Sequence, residues 1–257
     1  MIDVKSVSIE RNFKRLIPAR IKTLVLFFLT NRIVGRIIKK LKIHNNLFGG
    51  RFNYELVSDI EAAKIFWGVW ESAEIRFSKR FANTSTIIEL GSSVGVTLGV
   101  LSSMRQNSKF ICVEASKRNF DKLSLLLKTL PKNNTYSLVN KAIAYDKDFV
   151  GFDSSSTTGS KIDEMIDDPN LFVPATTLSS LLNENQVFGS YTLITDIEGA
   201  EAEIFFKDES ALKNCVCIIA ELENVFSHTI EEQVERLLSI GFCLTERYGN
   251  VVVFSRI

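Results

Sequence analysis

The stretch Thr86-Ile-Ile-Glu-Leu-Gly-Ser-Ser-Val-Gly95 decides the fold. Its β-branched apolar run, ending at Glu89, predicts a strand. Gly91 and Gly95 bracket a short turn, and a helical pattern follows. Strand, glycine turn and helix is how a parallel α/β sheet presents backbone N–H groups to a nucleotide-like ligand. Gly91 lets a ligand lie against bare backbone, and Gly95 lets the helix start close to the strand. The dinucleotide fingerprint G-x-G-x-x-G is incomplete, because Ser93 stands where its middle glycine belongs.

Outward from this stretch, strands alternate with helices. Strands are expected over 86–90, 109–114, 135–139, 191–196 and 215–222, with helices over 95–104, 118–130 and from 200 onward. A helix over 230–240 ends at Gly241. Residues 142–145 and 149–153 read as a short antiparallel excursion, 173–177 as an extended segment, and the polar, serine-rich 154–170 as a binding loop or lid. Runs at 243–247 and 251–255 flank Gly249 and Asn250, a hairpin turn. The alternation gives a parallel sheet, and the hairpin puts an antiparallel strand at one edge.

Upstream, the chain changes character. Between Arg11 and Lys42 there are ten lysines and arginines and no acidic residue. Apolar residues recur with helical spacing at Ile17, Ile21, Leu24, Val25 and Phe28, then at Ile33, Ile37, Ile38 and Leu41. Pro18 suits a first helical turn and Asn31 an N-cap. Two basic amphipathic helices result. They suit an anionic membrane surface, or else pack on the main domain or on a second copy in a homo-oligomer. Nucleic acid is disfavoured, since aromatic residues for base stacking are missing. Residues 44–53 read as a loop that divides an extension, 1–53, from the domain, 54–257. Ser58 with Glu61 makes a capping box, and helices to Trp67 and over 72–81 would wall the site.

Composition sets the bounds. The formal net charge is +1, so the chain is no general polyanion binder. Cys112, Cys215, Cys217 and Cys243 form no C-x-x-C pair and lie in strand-like runs. They read as buried, reduced thiols of a cytoplasmic protein, with Cys215 and Cys217 on one face of a strand. No signal peptide is visible, and the early apolar run at 24–29 is far short of the ~20 residues that span a bilayer.

Acidic residues stand where such a sheet places its ligands. Glu114, ending the second strand, suits a ribose diol, because a carboxylate accepts from both hydroxyls. Asp196 and Glu198 follow the fourth strand and would face the site. Asp196 is the first choice to take or share a proton from a hydroxyl nucleophile. Glu201, in contrast, suits the helix N-terminus it opens. Glu221 and Glu223 end the fifth strand and, with Asp196, offer a lesser alternative, a divalent ion. No metal is assigned. His228, on the next loop, is a candidate general base. Asn140 and Ala142 sit after the third strand, where a base ring would lie.

Several segments together resemble the FkbM family of S-adenosylmethionine-dependent methyltransferases. Ile88-Glu-Leu-Gly-Ser-Ser-Val-Gly95 is similar to its D-x-G-A-N-x-G motif, with Ser93 for the usual asparagine. Val113-Glu-Ala-Ser-Lys-Arg-Asn-Phe120 is similar to V-E-P-x-x-x-N-F, with Ala115 for proline. Asn140-Lys-Ala-Ile143 resembles N-x-A-[IL], and 173–182 its segment before the fourth strand, with Ser179 for aspartate. Asp196-Ile-Glu-Gly-Ala-Glu201 matches D-x-E-G-x-E, and Trp70-Glu71 an aromatic–Glu pair ahead of the first motif.

The resemblance covers about 70–222. It implies a doubly wound, mostly parallel sheet of the class I methyltransferase (Rossmann-like) type with a closing antiparallel hairpin. Its cofactor is S-adenosyl-L-methionine, held by Glu89, Gly91, Ser92, Ser93, Gly95, Glu114, Ala115, Asn140, Ala142 and Asp196. The implied reaction is methyl transfer to a hydroxyl of a sugar, glycan or secondary metabolite. The basic helices, which lie outside the resemblance, suggest the inner face of a membrane as its place. Asp196, Glu198, Glu221 and His228 are its catalytic candidates. The alternative is a catalytically degenerate scaffold of the same fold docked to a membrane. A nicotinamide oxidoreductase is disfavoured by Ser93 and by the hairpin.

Overall fold

The computed structural model describes residues 25–151 and 172–256. The first basic helix falls mainly outside these, and so does the expected loop at 154–170. Helices α1 (Arg32–Lys40), α2 (Asp59–Phe66) and α3 (Ser72–Phe81) precede the sheet. Asn31 caps α1 as expected, its side chain accepting from the Ile33 and Val34 N–H groups. Ser58 and Glu61 close the capping box of α2.

Alternation then follows: β1 (Thr86–Leu90), α4 (Val96–Met104), β2 (Lys109–Val113), α5 (Lys117–Leu127) and β3 (Thr135–Val139). After the short strands β4 (Ala142–Ile143), β5 (Phe149–Gly151) and β6 (Phe172–Thr176) come α6 (Leu178–Glu184) and β7 (Tyr191–Thr195). The chain continues through α7 (Glu201–Lys207), α8 (Glu209–Leu212), β8 (Cys215–Glu221), α9 (Ile230–Ser239), β9 (Cys243–Tyr248) and β10 (Val251–Ser255).

The main sheet runs β3-β2-β1-β7-β8-β10-β9. Strands β1, β2, β3, β7 and β8 are parallel. Strand order reverses between β1 and β7, and the carboxyl ends of the strands at such a reversal are where open α/β sheets hold their ligands. This is the seven-stranded class I methyltransferase form of the Rossmann-like fold. β10 pairs antiparallel with both β8 and β9. The antiparallel strand therefore lies one place in from the edge and not at it, because the hairpin's second strand inserts between β8 and β9.

Side chains alternate across the sheet into two cores. Ile87, Phe110, Ile194 and Val253 face α1 to α5. Ile88, Ile111, Leu193 and Val252 face α6 to α9. Cys217 belongs to the first core and Cys215 to the second, so they do not share a face. The parallel register steps from Tyr191↔Cys215 to Thr192↔Cys217, leaving Val216 as an extra, bulged residue. A bulge inverts the expected alternation. Cys243 is exposed on edge strand β9, which corrects its reading as a buried thiol.

Two further expectations change. β4 and β5 do not pair with each other. Both pair with β6, β4 parallel and β5 antiparallel, as a separate three-stranded sheet. Residues 44–53 are not an open loop. An Asn45↔Arg51 bridge closes them, and Phe52 is only 1% exposed.

Candidate functional site

The glycine turn is built first. At the end of β1 the Gly91 and Ser92 N–H groups donate to the Val113 carbonyl, at 2.9 and 3.0 Å, tying the turn to β2. Gly91 has φ +80°, and a Cβ there would sit 1.9 Å from the Asp196 carbonyl oxygen. Its glycine is required because the turn leans on the end of β7. Gly95, at φ +83°, makes room for Leu123 and Leu126 of α5. That differs from the expected strand–helix contact. Ser93 is left-handed, φ +47°, a conformation asparagine adopts more readily than serine. It aims the Ser93 N–H at Glu114.

Glu114 is 6% exposed, and its two carboxylate oxygens divide their work. Oε2 accepts from the Ser93 N–H and Oε1 from the Ser116 N–H, each at 2.7 Å. Burial raises its pKa, and these two hydrogen bonds pull it back. Asn140 donates from Nδ2 to the Glu114 and Ala115 carbonyls, at 2.8 and 3.0 Å. The ends of β2 and β3 are thereby locked together. Ala142 is buried in a small cluster with Ala144 and Val150, against which Ala115 packs. The cofactor-side residues thus form one connected edge, in which each carboxylate oxygen keeps a lone pair for a hydroxyl.

The second half of the site is a group of carboxylates on the face covered by α3. Glu89 is buried and accepts a weak 3.7 Å contact from the Cys112 thiol. Burial, with Glu71 adding to it, pushes its pKa up to about 8. Glu71, left-handed at φ +46°, accepts from Trp70 Nε1 at 2.7 Å and from the Thr97 hydroxyl at 3.3 Å. Its pKa is raised to about 7, chiefly by burial. Asp196 is raised furthest, to about 9, by burial and then by the charges of Glu71, Glu221, Glu201 and Glu198. Glu221 reaches about 7, through burial and a hydrogen bond with Glu74 of α3. The groups that raise these four carboxylates are all acidic.

Glu201 plays the structural part expected of it, in a more specific way. It accepts from the Ile197 N–H at 2.6 Å and the Gly199 N–H at 2.9 Å, holding the turn that follows Asp196. That turn carries Glu198 at φ +57°. The His228 ring stacks on Phe206 of α7 with centroids 3.7 Å apart. Its backbone exchanges hydrogen bonds with Val225, whose side chain packs against Gly199 in the turn that follows Asp196. Among the described residues no three metal-ligating side chains are arranged to hold an ion, so the divalent-ion alternative lacks a ligand set.

Sequence reading missed Glu74 and left Glu71 only as half of a motif pair. The available signal was their spacing. Residues 71 and 74 fall on one side of a helix, and Ile75 and Ser78 beside them are buried. Ser179, standing for an aspartate, takes its acid from a different element. Its N–H donates to Asp208 at 2.8 Å, and its hydroxyl bonds the same carboxylate.

No family model and no curated protein matches the chain. Among solved structures, it is similar to magnesium protoporphyrin IX methyltransferase from Synechocystis PCC 6803 with bound S-adenosylmethionine. Identity there is 10% and the TM-score 0.44, covering 92% of this chain and 97% of that one. It is also similar to the N-terminal domain of EvdMO1 with S-adenosylhomocysteine bound, at 14% identity and TM-score 0.41, covering 88% and 96%. At such scores the fold assignment rests on the strand order itself.

Proposed function

We propose that the chain is an S-adenosylmethionine-dependent methyltransferase that acts on a hydroxyl oxygen of a sugar, glycan or secondary metabolite. The observation that carries this is the pairing of Glu114 with the glycine turn at the strand-order reversal. A buried carboxylate there, oriented by the Ser93 and Ser116 N–H groups, is built for a ribose diol. The carboxylate group supports the same reading. Glu71, Glu89, Asp196 and Glu221 are raised by burial and by neighbouring carboxylates, a field that a cation would relieve. S-adenosylmethionine carries a sulfonium and supplies its methyl group. The oxygen preference comes from the resemblance to the FkbM family.

The chain's own residues would do four things. Gly91 and Ser93 shape the turn, and Glu114 with Asn140 orients the ribose and adenine side. Glu71 and Asp196 flank the donor, whose sulfonium would lower their pKa values and draw out their negative charge. Asp196 or Glu221, once ionised beside the sulfonium, accepts the hydroxyl proton, since carboxylates raised toward neutrality are better proton acceptors than ordinary ones. Trp70 and α3 keep water from the reacting atoms.

Calorimetric titration of the full chain with S-adenosylmethionine and S-adenosylhomocysteine, with NAD as control, tests the reading. Saturable binding of the first two alone is expected, and Glu114→Ala should weaken it by at least about tenfold, the scale of a lost charge-assisted hydrogen-bond pair. Absence of binding to all three would reject the enzyme in favour of a scaffold.

A further inference from the structure

Helix α1 solves one packing problem and leaves another open. Its inner stripe is seated: Val34 and Ile38 join the first core, and Ile38 is 3% exposed. Gly35 lies so close to α2 that a Cβ would sit 1.6 Å from the Asp59 carbonyl oxygen. Lys39 donates to the Val57 carbonyl at 2.6 Å and pairs with Asp59 at 3.0 Å, and Arg36 pairs with the same carboxylate at 3.5 Å. The helix is thus fixed to the domain through one face.

A second apolar stripe at i, i+4, i+8 faces out. Ile33 is 70% exposed, Ile37 50% and Leu41 66%. Just upstream, Phe27 and Phe28 are 71% and 61% exposed on the short helical segment 25–29. Arg32, Lys40 and Lys42 have no acidic partner among the described residues, and no aspartate or glutamate occurs from 25 to 54. Apolar side chains flanked by unneutralised cations on a rigidly held helix match the surface of a bilayer that carries anionic headgroups. A two-fold contact with a second copy would set Arg32, Lys40 and Lys42 against their own like charges.

We infer that α1 and the segment before it dock the protein on an anionic lipid bilayer, with Ile33, Ile37 and Leu41 entering the headgroup boundary. None of the described helices is long and apolar enough to cross a membrane, so the contact lies in the plane of the surface. The docking is independent of the methyl-transfer reading.

Co-sedimentation of the full chain with vesicles tests it. One set would be phosphatidylcholine alone and the other would contain about one third phosphatidylglycerol, a composition in the range where surface potential matters. Binding to the anionic set, weakened by salt, is expected. The triple variant Ile33→Glu, Ile37→Glu, Leu41→Glu changes exposed positions only, and an unchanged thermal transition would verify its fold. It should lose at least about tenfold in partitioning. Arg32→Glu with Lys40→Glu should lose about fivefold for each positive charge removed. Three results would overturn the inference. One is no sedimentation of the parent chain with anionic vesicles. Another is equal sedimentation of the parent and both variants. The third is conversion of a dimer to a monomer by the triple variant in light scattering, which would put a second copy on this face.

Discussion

Glu89 and Asp196 hold their protons to a higher pH than ordinary aspartates and glutamates do. Burial raises Glu89 to about 8 and Asp196 to about 9, whereas the unfolded chain titrates near 4. Between those values the folded form binds more protons, so stability is full below about pH 4 and is lost as pH rises toward 8 or 9. Glu89→Gln removes the loss. The variant should match the parent near pH 4 and exceed it by roughly 2 kcal/mol at pH 9, read as a shift of the urea midpoint. Gly91→Ala acts in the opposite direction. Its Cβ would meet the Asp196 carbonyl at 1.9 Å with φ +80°, and we expect a loss of roughly 2–4 kcal/mol together with loss of cofactor binding. Thermal melts and calorimetry at pH 7 check both.

At the scale of elements, regular features were legible and their exceptions were not. Local residue patterns placed β1, α3 and β3 to the residue. Ser58 illustrates a local signal that held: its capping box forms at 3.3 Å from the Glu61 N–H with the reciprocal bond at 2.6 Å. Ser58→Ala should cost about 1 kcal/mol, a fall in melting temperature of about 2–4 °C for a chain this size. The Val216 bulge had no local signature, since it is set by register with β7. The pairing of β6 between β4 and β5 was hidden for a related reason: strands of two and three residues specify nothing until a third one aligns them. In the site, Glu114 and Asp196 could be read because motif and strand end coincide. Glu74 was missed, because helical spacing from Glu71 does not by itself show the packing of α3 on β8 that brings it to Glu221.

Over the whole molecule, the carboxylates and the glycine turn form one electrostatic unit. A bound sulfonium keeps its charge at every working pH, whereas the carboxylates gain theirs as pH climbs through about 7 to 9. Affinity for S-adenosylmethionine should therefore tighten across that window, by up to about tenfold for each unit that a carboxylate's pKa falls on binding. Calorimetry at pH 6, 7.5 and 9 reads this, and a flat profile would remove the carboxylates from cofactor binding. Asp196→Asn should flatten the profile without abolishing the Glu114 contribution.

The strand order also sets a schedule. β9 precedes β10 in the chain, yet among the described residues its one neighbour in the sheet is β10. During vectorial synthesis β9 emerges with nothing to pair with, while β8 waits with one side unpaired and with Cys217, Ile218, Ile219 and Ala220 along it. Until residues 251–255 arrive and slide between them, the nascent chain displays an open apolar edge of the kind that recruits other chains. The strand whose arrival closes this edge, residues 251–255, therefore lies far in sequence from the glycine turn. Slowed elongation or truncation near Gly249 would expose that edge for longer, and aggregates rather than unfolded monomers would be the product.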